Sequence, residues 1–312
     1  MNILKFCGSY MKARRSTDLT PDQLTTISRM FSSTVIRELA RKGRSHLFSR
    51  LANQSLLLSD LSSRSSTVSS LYELAFSILK RQGYRDEYIY KAALTQNVLL
   101  GKHNLRTASM ITEFRVGECK ADVVILNGTG TVYEVKSERD SLSRLERQIA
   151  AYSKVFATIN VIAAECHVDA ITNLVPNDVG ILCLDRRNHI TPKREALERP
   201  ERTRPAEIFD CLRTEEARRV LISQNVFVPQ VPNTEMSGVL KQLFIKLEPA
   251  VAHRGMVDVL KKTRNLLPLS QLIEQLPASL QAAALSVPLR KLDHSRLVSA
   301  VSTRLEDALA WA

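Results

Sequence analysis

The sequence lacks the features of a secreted, membrane-spanning or zinc-binding protein. No stretch approaches the roughly twenty apolar residues that a membrane-spanning helix needs. The first fifteen residues contain only a short apolar run, and their basic residues follow that run, so no signal peptide is predicted. The cysteines form no CxxC pair and no zinc-ligand spacing; they are Cys7, Cys119, Cys166, Cys183 and Cys211. An odd, scattered set favours a reducing compartment, and the sequence predicts a soluble cytoplasmic protein.

What the chain has in excess is positive charge. Its 312 residues include 44 Lys and Arg against 32 Asp and Glu, a formal net charge of +12. That excess favours a polyanionic partner, and we expect nucleic acid, with DNA preferred, and no membrane. The alternative is a basic protein that binds no nucleic acid. With 44% hydrophobic residues the chain is able to bury a core.

Three regions and no internal repeat are predicted. Residues 1–70 form a basic helical region, in which Thr20 and Pro21 open a helix and Gly43 separates two more. A helix-turn-helix there is one possibility and a solvated helix pair the other; its basic residues are Arg37, Arg41, Lys42, Arg44 and Arg50. A serine-rich connector over residues 55–70 leads into the next region.

Residues 71–195 show helical, then strand-like, then alternating periodicity, which predicts an α/β sheet domain. Three strands, in SMITEFRV, ADVVILN and TVYEVK, are divided by glycine-containing turns. A helix follows, with Asp140 as its possible N-cap. Residues 196–312 form a helical C-terminal domain; a charged linker is predicted over 191–205 and a single closing helix over 293–311.

Charged residues interrupt these apolar strands. Because side chains alternate along a strand, Glu134 and Lys136 share one face with Val132, while Val135 takes the other. A two-residue turn at Gly117 and Glu118 matches a type II′ hairpin, which places Glu113 opposite Asp122. Two carboxylates held face to face repel, so we expect a cation between them or a proton on one of them.

The second hairpin needs an odd loop length or a bulge. A two-residue loop at Gly128 and Thr129 places Asp122 on the wrong face from Glu134. A three-residue loop over residues 128–130 restores the match and sets Asp122 opposite Lys136 and diagonal to Glu134. Either glycine of that loop is able to supply its left-handed residue.

Converging carboxylates at Glu113, Asp122 and Glu134 would be hard oxygen ligands, which suit Mg²⁺ or Mn²⁺ better than zinc. Lys136 beside them would orient water or neutralise charge on a phosphate. An exposed hairpin with an ordinary Glu–Lys pair is the competing interpretation.

At these residues the sequence resembles the PD-(D/E)XK phosphodiesterase superfamily. Asp122 matches its first acid and Glu134-Val135-Lys136 its triplet, with Ala121 in place of the proline. Gln148 and Tyr152 resemble the Gln-x-x-x-Tyr signature of RecB-like nucleases. The stretch from Ile111 to Phe156 also looks like an uncharacterised bacterial family of that superfamily, often found near phage or mobile elements.

The resemblance implies a restriction-endonuclease-like αβββαβ core with helical extensions at both ends. It implies catalysis by Asp122, Glu134 and Lys136, with Val135 of the triplet and Glu87 of the first core helix joining the metal ligands. Glu73 is the weaker match to that helix position.

Arg144, Gln148 and Tyr152 repeat every four residues along one helix edge. They are predicted to support the site or bind substrate, or else Tyr152 only caps the core.

Three functions follow as hypotheses. The first is a metal-dependent nuclease, the second a protein of that fold that binds nucleic acid or a protein partner without turnover, and the third a DNA-binding transcriptional regulator. A homodimer is a further possibility.

Overall fold

The structure, a computed structural model, describes residues 19–55, 57–58, 61, 66–81 and 83–311. The predicted absence of a signal peptide, Cys7 and much of the serine-rich connector therefore lie outside the described residues. Fifteen α-helices occur in the described part of the chain. They are α1 Pro21–Arg29, α2 Ser33–Lys42, α3 His46–Gln54, α4 Val68–Leu79, α5 Glu87–Leu94, α6 Leu145–Tyr152, α7 Val168–Leu174, α8 Pro205–Asp210, α9 Thr214–Ser223, α10 Asn233–Phe244, α11 Pro249–Thr263, α12 Ser270–Gln275, α13 Ala278–Leu285, α14 Lys291–Ser302 and α15 Leu305–Leu309. Among the described residues, every helix is too short or too polar to traverse a lipid bilayer.

Six strands form one mixed sheet in the order β1-β2-β3-β4-β5-β6. They are β1 Ser109–Val116, β2 Cys119–Asn127, β3 Thr129–Lys136, β4 Thr158–Ala163, β5 Gly180–Leu184 and β6 Ile190–Arg194. The first three strands are an antiparallel meander, β3, β4 and β5 run parallel, and β6 turns back beside β5. The predicted α/β class is confirmed, and α6 and α7 supply the two parallel crossovers.

Each face of the sheet carries its own hydrophobic core. On the first face, Ile125, Val135 and Ile162 pack with helices α1–α5 and α12–α15. On the second face, Val132 and Val161 pack with α6 and with the helices from α8 to α11. The first core thus unites helices from both ends of the chain, because an α/β sheet needs cover on both faces. The predicted region boundaries at 70/71 and 195/196 stay a prediction.

The predicted helix signals near the N-terminus are confirmed. Thr20 is the N-cap of α1 in a capping box with Gln23, and Pro21 is the first helical residue. Gly43 ends α2 at φ +71°, a left-handed conformation that favours glycine. Two closely spaced helices, α2 and α3, therefore exist where a helix-turn-helix was considered.

The C-terminal third differs from prediction in two places. The segment 191–205 is not wholly a linker, because Thr191 to Arg194 belong to β6, the edge strand. The closing helix is two helices, since Thr303 and Arg304 leave helical geometry and pair with the chain before α4. Val68 donates its N–H to the Thr303 carbonyl at 3.0 Å, and Leu305 donates to Ser66 at 2.8 Å. This long-range pairing cannot be read from helical periodicity.

A buried histidine joins α11 to the sheet. His253 is 3% exposed, and its Nε2 accepts the Ala157 N–H at 3.2 Å. A Cβ on Gly130 would meet that nitrogen at 3.0 Å, so Gly130 serves close packing, while Gly128, at φ +72°, supplies the left-handed residue expected from one of the two glycines. Burial, reinforced by Arg254, lowers the pKa of His253 to about 4, although a hydrogen bond with the Gly130 backbone opposes this.

His253 is therefore expected to lower the free energy of unfolding as the pH becomes acidic. Its folded pKa lies below the unfolded value of about 6.5, so its contribution is complete above that pH and is lost as pH falls toward about 4. The loss is about 3 kcal/mol of unfolding free energy. Urea denaturation at pH 7 and pH 4.5 should show a smaller decrease for His253→Gln than for the wild type. His46→Gln, at an exposed position, should keep the full wild-type decrease; equal decreases in all three proteins would contradict this role.

Candidate active site

Side-chain alternation reverses in the middle of the first hairpin. In a regular strand Met110, Phe114 and Val116 would share one face, because their positions differ by four and six. On β1, however, Met110 packs in the first core, whereas Phe114 and Val116 pack in the second. Glu113, at φ +58°, marks the reversal. A left-handed conformation in a strand is strained for a residue other than glycine, and such strain clusters at functional sites.

The register of this hairpin is the predicted one. Val116 pairs with Cys119, and Thr112 pairs with Val123, so Glu113 and Asp122 lie opposite each other between paired neighbours. Gly117 has φ +55° while Glu118 has no positive φ, as a type II′ turn requires. The pairing itself is absent at Glu113 and Asp122, so their side chains leave the regular ladder.

The second hairpin confirms the odd loop length but not the predicted register. Asn127 pairs with Thr129 around Gly128, which has φ +72°. Val123 pairs with Tyr133, so continuing the register sets Asp122 opposite Glu134 and not opposite Lys136. The Val135 N–H donates to Asp122 Oδ2 at 2.8 Å, which fixes this carboxyl against β3.

A polar network surrounds the buried carboxylate of Glu134, which is 2% exposed. Lys136 Nζ donates to Glu134 Oε1 at 2.9 Å, and Gln148 Nε2 donates to the same oxygen at 2.5 Å. Tyr152 donates its hydroxyl to Glu134 Oε2 at 2.9 Å, and Lys136 also donates to Gln148 Oε1 at 3.1 Å. A buried charge is stabilised when paired and fully hydrogen-bonded, as this one is. Gln148 and Tyr152 thus orient both members of the Glu134–Lys136 pair.

Asp122 is the carboxyl with the least compensation. Burial, and then the negative charges of Glu134 and Glu87, raise its pKa to about 8. Its hydrogen bond from Val135 opposes the shift but does not overcome it. Of the opposed carboxyls, Asp122 is therefore the one that its surroundings favour in the protonated form.

Glu113 is ionised instead, because two lysines neutralise it. Lys91 Nζ lies 2.7 Å from Glu113 Oε1 and 2.5 Å from Glu87 Oε1, and Lys120 contacts Glu113 Oε2. Partial burial disfavours the charge, yet Lys120 and Lys91 lower the pKa of Glu113.

These carboxylates fit a divalent cation. Glu87, Glu113 and Asp122 each offer an oxygen within 4.8 Å of the others, comparable with twice the metal–oxygen distances of protein sites. The donors are all hard oxygens, the set that Mg²⁺ and Mn²⁺ prefer. Glu134 is not in this group, and its oxygens accept three hydrogen bonds from Lys136, Gln148 and Tyr152. Of the predicted ligands, three converge, while Glu134 and Val135 line the same cavity beside them.

The cavity that holds these groups has a volume of about 330 Å³ and opens at the end of β3. Arg144 and Arg147, both exposed, form part of its wall. Glu73 is excluded from it, because its carboxylate accepts from Ser279 Oγ at 2.7 Å. Asp140 is not the N-cap of α6 as predicted; it accepts from the Ser137 N–H at 2.7 Å, and Arg144 precedes the first helical residue.

Sequence reasoning missed Lys91, Lys120 and Arg147. Lys91 follows Glu87 by four residues on α5, a spacing that places the two side chains together. Lys120 pairs with Arg115, which makes it the diagonal neighbour of Glu113 across the hairpin. The spacing that places Lys91 and the hairpin register that places Lys120 could both be read from the sequence, whereas no sequence motif includes Arg147.

Fold and site together define an α/β protein with a carboxylate–lysine cavity at one edge of a mixed sheet. A sequence model of the family described as bacteriophage P4 protein cII matches residues 80–271, more than half of the chain, so the chain belongs to that family. Protein cII of Enterobacteria phage P4 is 30% identical over 92 residues, which are 29% of this chain and 35% of the phage protein. The alignment therefore spans about a third of that relative. The chain has no significant match among solved structures.

Proposed function

We propose that this protein is a metal-dependent nuclease that cleaves a phosphodiester bond of nucleic acid, with DNA as the preferred substrate. The resemblance to the PD-(D/E)XK superfamily and the α5-β1-β2-β3-α6-β4 element order support this assignment. All the residues of the cavity lie inside the region shared with the phage P4 cII family. A role in phage defence or mobile-element biology belongs to the same proposal.

The observation that carries the proposal is the pair of opposed carboxyls, Asp122 and Glu134, next to a buried lysine. A structural ion pair needs only one carboxylate for Lys136, and Glu134 serves that purpose at 2.9 Å. Asp122 and Glu87 are further carboxyls that this ion pair does not need, and burial together with the charges of Glu134 and Glu87 raises the pKa of Asp122. Groups with strongly shifted pKa values in a cavity are typical of functional sites.

The metal ligands would be Asp122, Glu113 and Glu87, with Glu134 and the Val135 backbone alongside. When bound, Mg²⁺ or Mn²⁺ supplies positive charge that polarises a phosphate and acidifies water. Glu134 is held rigid by Gln148 and Tyr152, so it keeps Lys136 at a constant position on the cavity wall. The Lys136 ammonium neutralises negative charge that grows on the phosphate oxygens during displacement.

The rim of the cavity suits a polyanion. Arg144, Arg147 and Lys120 stand around its acidic floor. Cations at the rim attract phosphates, and the carboxylates below remain available to a metal ion.

The decisive experiment is a cleavage panel. Linear, circular and single-stranded DNA and RNA are incubated with the protein in Mg²⁺, Mn²⁺ or EDTA. We expect hydrolysis in Mg²⁺ or Mn²⁺, none in EDTA, and none by Glu134→Ala, which should still bind the substrate.

Glu146→Gln is the matched control, because Glu146 is an exposed carboxylate on α6 outside the cavity. It should cleave at the wild-type rate. The nuclease assignment is overturned if no substrate is cleaved with either metal, or if Glu134→Ala cleaves as fast as Glu146→Gln.

The second candidate is nucleic-acid binding without turnover. Its supporting observation is that Lys91, Lys120 and Lys136 already neutralise Glu113, Glu87 and Glu134 within the protein. Salt-dependent binding without cleavage across the whole panel would favour this function.

The regulator hypothesis rests on α2 and α3 and their exposed arginines. A shift on one operator-like DNA that is abolished by Arg41→Ala with Arg44→Ala would favour it. The cytoplasmic location and the homodimer stay predictions.

A further inference from the structure

A second cavity lies at the same end of the sheet as the candidate active site, where the parallel strands β3, β4 and β5 end. It has a volume of about 330 Å³ and is lined by Glu165, Cys183, Asp185, Arg186, Arg187, His189, Thr191 and Lys193. Most of these residues belong to β5, β6 and the turn between them. Neither the resemblance nor the proposed catalysis uses any of them.

The sheet register connects the two cavities. Lys136 pairs with Ala163, Ala163 with Cys183, and Cys183 with Thr191. Paired residues of adjacent strands share a face, and adjacent strands are about 4.8 Å apart, so Cys183 lies roughly 10 Å and Thr191 roughly 15 Å from Lys136 across the sheet. Cys183 and Thr191, which line the second cavity, therefore lie on the same face of the sheet as Lys136, two and three strands away.

The turn that carries the arginines is held rigid. Asp185 Oδ1 accepts the N–H groups of Arg187 at 2.8 Å and His189 at 2.9 Å, and Asn188 has φ +62°. Asp185 and His189 also join through a backbone hydrogen bond of 2.9 Å. The charge of Asp185 is thus largely committed to the turn itself, while the arginine side chains are exposed.

A buried arginine adds positive charge beneath this turn. Arg85, 2% exposed, donates to the carbonyls of Leu184 at 2.9 Å and Asp185 at 2.8 Å. Among the described residues, no salt bridge joins Arg85, Arg186 or Arg187 to a carboxylate. Lys193 likewise has none within the described part of the chain. Glu165 is the opposing acidic group on the wall of the cavity.

We propose that the β5–β6 turn with Arg186, Arg187 and Lys193 binds the phosphate backbone of the DNA strand whose scissile bond lies at Lys136. A span of roughly 10–15 Å corresponds to about three or four nucleotides of duplex at 3.4 Å per step, so the turn meets the backbone a few nucleotides away. The inference rests on the proposed function for its substrate. What is new is the place where the DNA backbone contacts the protein, at the β5–β6 turn.

Binding is measured without cleavage, which separates this inference from the nuclease assignment. Full-length Glu134→Gln protein in EDTA is titrated with fluorescently labelled DNA, and the anisotropy is followed between about 50 and 200 mM salt. Adding Arg186→Ala and Arg187→Ala is expected to weaken binding about tenfold and to reduce the salt slope by about two, one for each lost phosphate contact.

The matched control is Arg218→Ala with Arg219→Ala on α9, which removes the same charge from exposed residues away from this edge. This control should leave the DNA affinity and the salt slope near those of the parent protein. A third variant, Glu165→Gln, should increase affinity. The inference is overturned by equal losses in the two arginine pairs, by binding of an RNA of the same sequence but not of the DNA, or by no binding at all. Circular dichroism spectra matching the parent protein establish that the variants are folded.

Discussion

Asp122→Asn is expected to abolish metal-dependent cleavage while stabilising the metal-free protein. The amide keeps an oxygen for the Val135 N–H but removes a charge that burial, Glu134 and Glu87 all disfavour. Loss of a ligand that contributes several kcal/mol of transition-state stabilisation lowers the rate by about a thousandfold.

The stability gain has a defined pH window. The folded pKa of Asp122, about 8, lies above its ordinary value of 3.8, so the destabilising contribution of this one carboxyl is absent below pH 3.8 and grows as pH rises toward 8. The asparagine does not ionise, so its advantage grows over that window to about 3 kcal/mol above pH 8, with allowance for partial exposure. Urea denaturation at pH 5 and pH 8.5 in EDTA measures the difference.

Two outcomes would contradict this picture. An Asp122→Asn protein that is less stable than the wild type at pH 8.5 would mean that the carboxylate is a structural anchor. Full activity with Mg²⁺ would remove Asp122 from the ligands. Asp169→Asn, at an exposed position of α7, is the control and should change neither the cleavage rate nor the free energy of unfolding appreciably.

Lys136→Met is expected to destabilise the fold strongly and to be rescued in part by Glu134→Gln. The two side chains are 5% and 2% exposed, so removing the ammonium leaves a buried carboxylate with only neutral partners. Breaking a buried pair from one side costs about 3 kcal/mol or more. In the double variant no charge is buried, so its loss of stability is smaller than the sum of the two single losses.

A double-mutant cycle in urea measures the coupling between the two residues, expected at about 2 kcal/mol. The half-exposed pair Lys154–Glu207, at 3.4 Å, offers a parallel cycle whose coupling should stay below about 1 kcal/mol. Equal couplings in the two cycles would show that Glu134 and Lys136 form an ordinary surface pair. This test depends on geometry alone and holds whether or not the protein cleaves nucleic acid.

The strands and the residues of the site were within reach of the sequence because their signals are local. A period of two places Glu134 and Lys136 on one face, and a Gly-Glu turn sets the register that brings Glu113 opposite Asp122. The four-residue spacing of Gln148 and Tyr152 brings both to Glu134.

Other features depend on contacts between distant segments. The break between α14 and α15 exists because Thr303 and Leu305 form backbone hydrogen bonds with Val68, the first residue of α4, and with Ser66 just before it. Gly130 is small because His253 approaches it from α11, whereas the loop rule alone did not distinguish Gly130 from Gly128 as the left-handed residue. Neither partner is near in sequence, so no pattern of residues reports the pairing.

The sequence by itself determined an α/β chain with an excess of positive charge and a hairpin carrying opposed acids and a lysine. Only the tertiary structure decided which of those charged groups pair with one another. Lys91 and Lys120 neutralise Glu113, Glu134 is held by Lys136, Gln148 and Tyr152, and Asp122 is left with a raised pKa. The physical reason is that ionisation depends on burial and on the distances between charges, which exist only once helices from elsewhere in the chain have packed against the sheet.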